Sequence, residues 1–227
     1  MLFKPLNLAI VDESMLFRKL LRSNFSEQDK LNVVIDTSEL YDLLQKPTDY
    51  PLDILIIDIL LRKHNIRDLL KQIYQEHPNI RILILSMCSD IEIISDLLDQ
   101  GVYGYVSKTD SPEELMKAIV SICEGKIYRN RFFTELLYLG IQRNAGQVPH
   151  GKKIKLRDRE VKILQLLWEE KSNKEIADLI HLSIRSVEKI KQDLKDRIGA
   201  KSTVGLLKYA VENKIIYGAS KPHYYQL

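Results

Sequence analysis

Five short apolar runs, each followed by a polar residue and leading into an amphipathic stretch, govern what the first half of this chain can become. The runs are Leu6–Val11, Leu31–Ile35, Asp53–Ile57, Ile80–Leu85 and Val102–Val106. They are rich in Ile, Leu and Val and nearly continuous, which is the pattern of strands buried on both faces of a parallel sheet. Between them, helical periodicity covers residues 14–25, 38–46, 65–77, 89–99 and 112–124. Ser111, Pro112 and Glu114 punctuate the last of these as N-cap, first helical residue and capping-box partner, and Gly125 follows where a C-cap belongs. Five β-α repeats predict an α/β architecture, a doubly wound (βα)5 sheet with right-handed crossovers.

The second half reads differently. Residues 131–143 suggest one more helix, and the turn-rich stretch from Asn144 to Gly151 reads as a linker. Beyond Leu156 no strand pattern appears. Four helical segments follow, at 158–170, 173–180, 184–198 and 203–213, and Ser172 and Glu175 form a second capping box. The expected organisation is an α/β domain over 1–128, a helical or flexible linker over 129–151, a small all-α four-helix domain over 152–217, and a frayed tail over 218–227.

Charge divides the chain at about the same place. Residues 1–130 hold 15 Lys and Arg against 20 Asp and Glu, and residues 131–227 hold 19 against 11, so the halves carry −5 and +8. A basic second half points to a polyanionic partner. The two cysteines, Cys88 and Cys123, form no CxxC pair, which suits a reducing, cytoplasmic setting rather than a disulfide framework. The N-terminus is too poor in apolar residues for a signal peptide, and the longest apolar stretch, Ile54 to Leu61, is broken by Asp58. No membrane association is expected.

In an open parallel sheet, ligands gather beyond the carboxyl ends of the strands, where strand order reverses. Asp12 and Glu13 follow the first run, Asp58 the third, Ser86 the fourth and Lys108 the fifth. Three crowded carboxylates call for a cation. All-oxygen ligands favour a hard ion, and Mg2+ fits few protein ligands and several waters. Asp58 is then a nucleophile for a phosphoryl group, Lys108 a point charge for its oxygens, and Ser86 a hydroxyl donor. Each residue alone has an ordinary explanation as a cap or a loop residue; it is their arrival together at the strand ends that singles them out.

Leu8-Ala9-Ile10-Val11-Asp12-Glu13, Asp53 to Asp58, Ile82 to Ser86 and Gly104-Tyr105-Val106-Ser107-Lys108 resemble the receiver signatures of two-component response regulators, which have a flavodoxin-like fold. The resemblance implies that Asp12, Glu13 and Asp58 bind Mg2+ with the backbone carbonyl of Leu60. It also implies that Asp58 is the phosphoacceptor and Tyr105 the switch aromatic, turning inward when Ser86 is drawn to the phosphoryl group. Two departures stand out. Ile59 to Asn65 replace the usual Met-Pro-like pair and glycine, and Met87 follows Ser86 where a small residue is common, so access to Asp58 is expected to be narrower.

In the second half, residues 173–198 have a short helix, a tight turn at His181 to Ser183 and a longer helix. On the longer helix Val187, Ile190, Lys191, Leu194 and Ile198 follow a roughly helical spacing whose apolar members mark the buried face, leaving Arg185, Glu188, Lys189, Gln192 and Lys195 outward. Lys174, Arg185, Lys191, Lys195 and Lys201 are candidates for phosphate contacts. Leu156-Arg-Asp-Arg-Glu160, Ser172-Asn-Lys-Glu-Ile-Ala177 and Leu182 to Glu188 resemble the LuxR-type helix-turn-helix, and with the receiver the whole resembles the NarL/FixJ class. By that resemblance Glu188, Lys189 and Gln192 read bases and residues 203–213 form a dimerisation helix. Arg157 stands where a capping threonine is usual, with Asp158 expected to cap instead, and Ile190 replaces a common histidine.

The expected function is a transcriptional regulator that takes a phosphoryl group on Asp58 from a sensor histidine kinase and responds by changed homodimerisation and binding of double-stranded DNA. The alternative is a pseudo-receiver that binds DNA without phosphorylation. An enzyme such as a phosphatase is disfavoured, because the chain has no DxD pair, nucleophile elbow or P-loop.

Overall fold

A computed structural model of the chain describes residues 5–28, 30–45, 51–60, 66–135 and 154–216. The chain forms two compact units, residues 1–90 with 102–123, and residues 91–101 with 124–227.

The first unit is built on five parallel strands, β1 (Leu6–Val11), β2 (Leu31–Thr37), β3 (Ile54–Ile57), β4 (Arg81–Ser86) and β5 (Gly104–Ser107), in the order β2-β1-β3-β4-β5. β3 is buried at every residue, and β1 and β4 at all but the first. Their continuous apolar runs therefore have no solvent face to alternate with. β2, at the sheet edge, is the strand that alternates. Four helices belong to this unit, α1 (Met15–Ser26), α2 (Asp42–Gln45), α3 (Ile66–Glu76) and α5 (Pro112–Cys123). α1 packs on β2, and α5 on β4 and β5. Strand order reverses between β1 and β3, so the residues just past those two strands border the switch point.

Helix α2 is shorter than the periodicity over 38–46 predicts. The Thr37 hydroxyl donates to Asp42, and the Glu39 amide donates to the Thr37 hydroxyl at 3.2 Å. These bonds make residues 38–41 a turn, with Leu40 fully buried, so helix begins only at Asp42.

The second unit holds α4 (Ile91–Asp99), α6 (Asp158–Trp168), α7 (Asn173–Leu179), α8 (Ile184–Ile198) and α9 (Thr203–Glu212). Residues 131–135 are also helical; the rest of the helix expected at 131–143, the Asn144–Gly151 linker and the tail lie outside the described residues. Its core joins Ile163, Leu164 and Leu167 of α6, Ile176 of α7, Val187 and Leu194 of α8, and Leu206 and Leu207 of α9. Within this unit the Ser202 hydroxyl donates to the Leu98 carbonyl at 3.1 Å, and Lys208 Nζ reaches Asp99 at 2.6 Å and Ser95 Oγ at 2.8 Å.

Asp158 does not cap α6. It is the first helical residue, and Arg157 holds the N-cap position. A guanidinium has no acceptor, so the capping is done from inside the helix. The Glu160 carboxylate accepts from the Arg157 amide at 2.9 Å and pairs with Arg197 at 2.5 Å. Among the described residues no helix is long and apolar enough to cross a membrane.

Candidate functional site

At the switch point the backbone ladder runs one residue past the strands. The Asp12 amide donates to Thr37 O, the Asp58 amide to Val11 O, and the Lys108 amide to Ser86 O, at 2.9–3.1 Å. Those bonds hold the three side chains rigidly over the sheet edge. Lys108 Nζ lies 2.5 Å from Asp58 Oδ2 and 2.6 Å from Asp12 Oδ2. The Ser86 hydroxyl, wholly buried, donates to Asp58 Oδ1 at 2.5 Å, and the Leu60 amide donates to the same oxygen at 3.0 Å. Asp12 Oδ1 accepts from the Ser14 amide at 2.8 Å.

Burial raises the pKa of Asp58. The bonds from Lys108, Ser86 and the Leu60 amide outweigh it and leave the carboxyl below its ordinary value. Burial likewise pulls Lys108 down, but its bonds to Asp12 and Asp58 hold it above the usual lysine value. The Asp58 side chain keeps 10% of its surface accessible. Glu13 is exposed, and among the described residues no three His, Cys, Asp or Glu side chains are grouped as a metal site. The convergent donors are thus two carboxylates, a hard-oxygen pair of the kind Mg2+ accepts alongside water.

Tyr105 is buried, with its hydroxyl donating to the Cys88 carbonyl at 2.8 Å. The Cys88 amide donates to Ser86 Oγ at 3.2 Å, so serine, loop and aromatic ring form one hydrogen-bonded chain. Met87, in that loop, is 56% exposed. Phe17, which the sequence pattern does not single out, lies with its ring 4.7 Å from Lys108 Nζ. Of the loop after Asp58, residues 61–65 lie outside the described residues.

The second site is the α7-turn-α8 pair. Ser172 and Glu175 make both bonds of the capping box at the start of α7. The turn passes through His181 with φ 54, Ser183 caps α8, and Gly199 closes it with φ 74. Val187 and Leu194 are buried. Lys174, Arg185, Glu188, Lys189 and Gln192 are exposed, and Lys195 is half-buried. Gln192 Nε2 donates to Asp196 at 2.8 Å.

Lys191, expected to contact phosphate, does not extend outward as such a contact would. Its Nζ donates to Asn173 Oδ1 at 2.9 Å. Burial, and then the neighbouring Lys195, hold its pKa down to about 8 against a partial opposing pull from Glu188.

Two family models match the chain, and the first runs through residues 91–101, which pack with the second unit. Residues 8–120 match the response regulator receiver domain, and residues 155–210 match the luxR family of bacterial regulatory proteins. This chain is a response regulator of the NarL/FixJ class. The regulator is 27% identical over 215 residues to the oxygen regulatory protein NreC of Staphylococcus carnosus (strain TM300), covering 93% of this chain and 99% of that protein. It is 28% identical over 216 residues to NreC of Staphylococcus aureus (strain JH9), with the same coverage. Among solved structures it resembles RcsB in a structure of two dimers on two parallel DNAs, at TM-score 0.54 and 23% identity over 92% of this chain and 99% of that one. RcsB of Salmonella enterica serovar Typhimurium, bound to promoter P1flhDC with a phosphomimetic BeF3-, gives TM-score 0.55 and 24% identity over 92% and 100%. At such identity the likeness speaks for the fold. The regulator is a DNA-binding transcription regulator by its family.

Proposed function

We propose that the regulator accepts a phosphoryl group on Asp58 from a sensor histidine kinase, and that this changes its pairing and its hold on double-stranded DNA. The observation that carries the reading is the Asp58 carboxylate, held ionised between Lys108 and Ser86 at the switch point. A carboxylate oxygen attacks phosphorus, the P–N bond of the phosphohistidine breaks, and an acyl phosphate forms. Lys108 pairs with the phosphoryl oxygens and the Ser86 hydroxyl donates to another. Asp12 and Asp58 would hold Mg2+, with Glu13 and the Leu60 carbonyl the further donors that the receiver resemblance implies, and the ion would neutralise charge on the transferring group.

Phosphorylation gives Ser86 a new acceptor. Ser86 is bonded to the Cys88 amide, and the Cys88 carbonyl to Tyr105, so the change passes along that chain and biases a two-state element. Helix α8 then lies in the major groove of a half-site. Glu188, Lys189 and Gln192 face base edges, and Lys174, Arg185 and Lys195 face phosphates. α9 pairs two copies as a homodimer, which sets the half-site spacing.

The test is labelling of the full chain with a small phosphodonor and Mg2+, followed by footprinting on genomic DNA. Wild type is expected to take up one acid-stable, hydroxylamine-labile phosphoryl group, Asp58→Asn none, and footprints should depend on the donor. A wild type that takes up no phosphate, with donor-independent footprints, would identify a pseudo-receiver instead.

A further inference from the structure

Helices α7 and α8 are tied by one side-chain relay. Lys191 Nζ donates to Asn173 Oδ1 at 2.9 Å, and Asn173 Nδ2 donates to Glu188 Oε1 at 3.4 Å. Glu188 and Lys191 are three residues apart on α8, hence neighbours on one flank. Asn173, the first residue of α7, stands opposite both.

The chemistry allows this relay only one polarity. An ammonium can only donate and a carboxylate can only accept. The Asn173 amide must therefore turn its oxygen to Lys191 and its NH2 to Glu188. A planar amide anchored at one end by a half-buried lysine fixes where the exposed carboxylate sits. Among the described residues Glu188 has no other hydrogen bond, so its second oxygen is available to an outside donor.

We infer that Asn173 is a positioning residue which holds the Glu188 carboxylate for one cytosine in each DNA half-site. The inference rests on the reading of α8 as the base-reading helix. In the major groove cytosine offers a bare N4 amine to an acceptor, guanine offers two acceptors and thymine one, and adenine places its N7 acceptor beside its amine. A fixed carboxylate accepts from the first and is repelled by the rest. A carboxylate free to swing away would discriminate less, so the relay converts a flexible side chain into a selective one.

The experiment selects bound duplexes from a randomised double-stranded DNA library with the full-length protein, and compares wild type with Asn173→Ala, Lys191→Met, Glu188→Ala and Asn173→Ala/Glu188→Ala. Wild type should enrich cytosine at one position of each half-site. Glu188→Ala and Asn173→Ala should each lose about 5-fold or more of that preference, leaving the other positions unchanged, and the double variant should lose no more than Glu188→Ala. Lys191→Met keeps the apolar stem, removes the donor, and should lose preference at the same position even if Asn173→Ala does not fold. Glu188→Ala losing the cytosine while Asn173→Ala and Lys191→Met keep it would overturn the inference and leave the base-reading role of α8 intact. No sequence preference at any position in wild type would overturn both.

Discussion

Two opposed forces meet at the Asp58 carboxylate, and their balance fixes the pH range in which the site is assembled. Burial favours the neutral acid, while Lys108, Ser86 and the Leu60 amide favour the anion and win. A carboxyl lowered in the folded state stabilises the fold above its unfolded value, and that stability is lost as pH falls through the folded value. Lys108, raised above its unfolded value, stabilises at lower pH and loses that contribution as pH rises through its folded value. The ion pair is therefore intact between the ordinary carboxyl value of 3.8 and the ordinary lysine value of 10.5. Carbon-detected NMR should show Asp58 titrating below 3.8, and Lys108→Met should move it upward. A wild-type midpoint above 3.8 would contradict the balance described.

At the scale of elements, α8 is delimited by chemistry that can be read directly. Ser183 accepts from the Ser186 amide at 3.1 Å, and Gly199 takes the left-handed conformation at the other end. Nothing lies within 4 Å of a Cβ added at Gly199, so a substitution there meets backbone strain and no clash. Gly199→Ala should destabilise the second unit by about 1 kcal/mol. Urea unfolding followed at Trp168, the single tryptophan and a residue of α6, places the probe in that unit. An unchanged midpoint would mean the helix end relaxes without cost.

Such caps and the apolar runs made nearly every helix and strand legible, and strand ends made Asp12, Asp58, Ser86 and Lys108 legible as a group. The Arg157 cap was not, because the acceptor comes from Glu160 within the helix. Phe17 was not, because its contact with Lys108 joins elements far apart in the chain, and Asn173 was not, because its bonds cross the turn to the next helix, where spacing along one helix gives no signal. Lys191 has an apolar stem with the periodicity of a core residue, and no pattern indicates where its charged end will go.

For the whole molecule, the acidic first half and basic second half predict how DNA binding responds to salt. Contacts to phosphate release counterions, and contacts to bases largely do not. Lys174→Ala should weaken all sequences alike and flatten the log–log salt slope by about 1, whereas Lys189→Ala should relax one base position at a cost of about 1–3 kcal/mol. Titrations of specific and scrambled duplexes at several salt concentrations separate the two. Identical slopes for wild type and Lys174→Ala would remove Lys174 from the backbone contacts.

Glu188, Asp193 and Asp196 are interspersed with Lys189, Lys195 and Arg197 along α8. Anions among cations weaken the indiscriminate grip that a purely basic helix would have on any duplex. Fewer copies are then sequestered by the vast excess of irrelevant chromosome, and each visit to a wrong site is brief. A small cellular pool of this protein can search quickly and linger only where the letters are right.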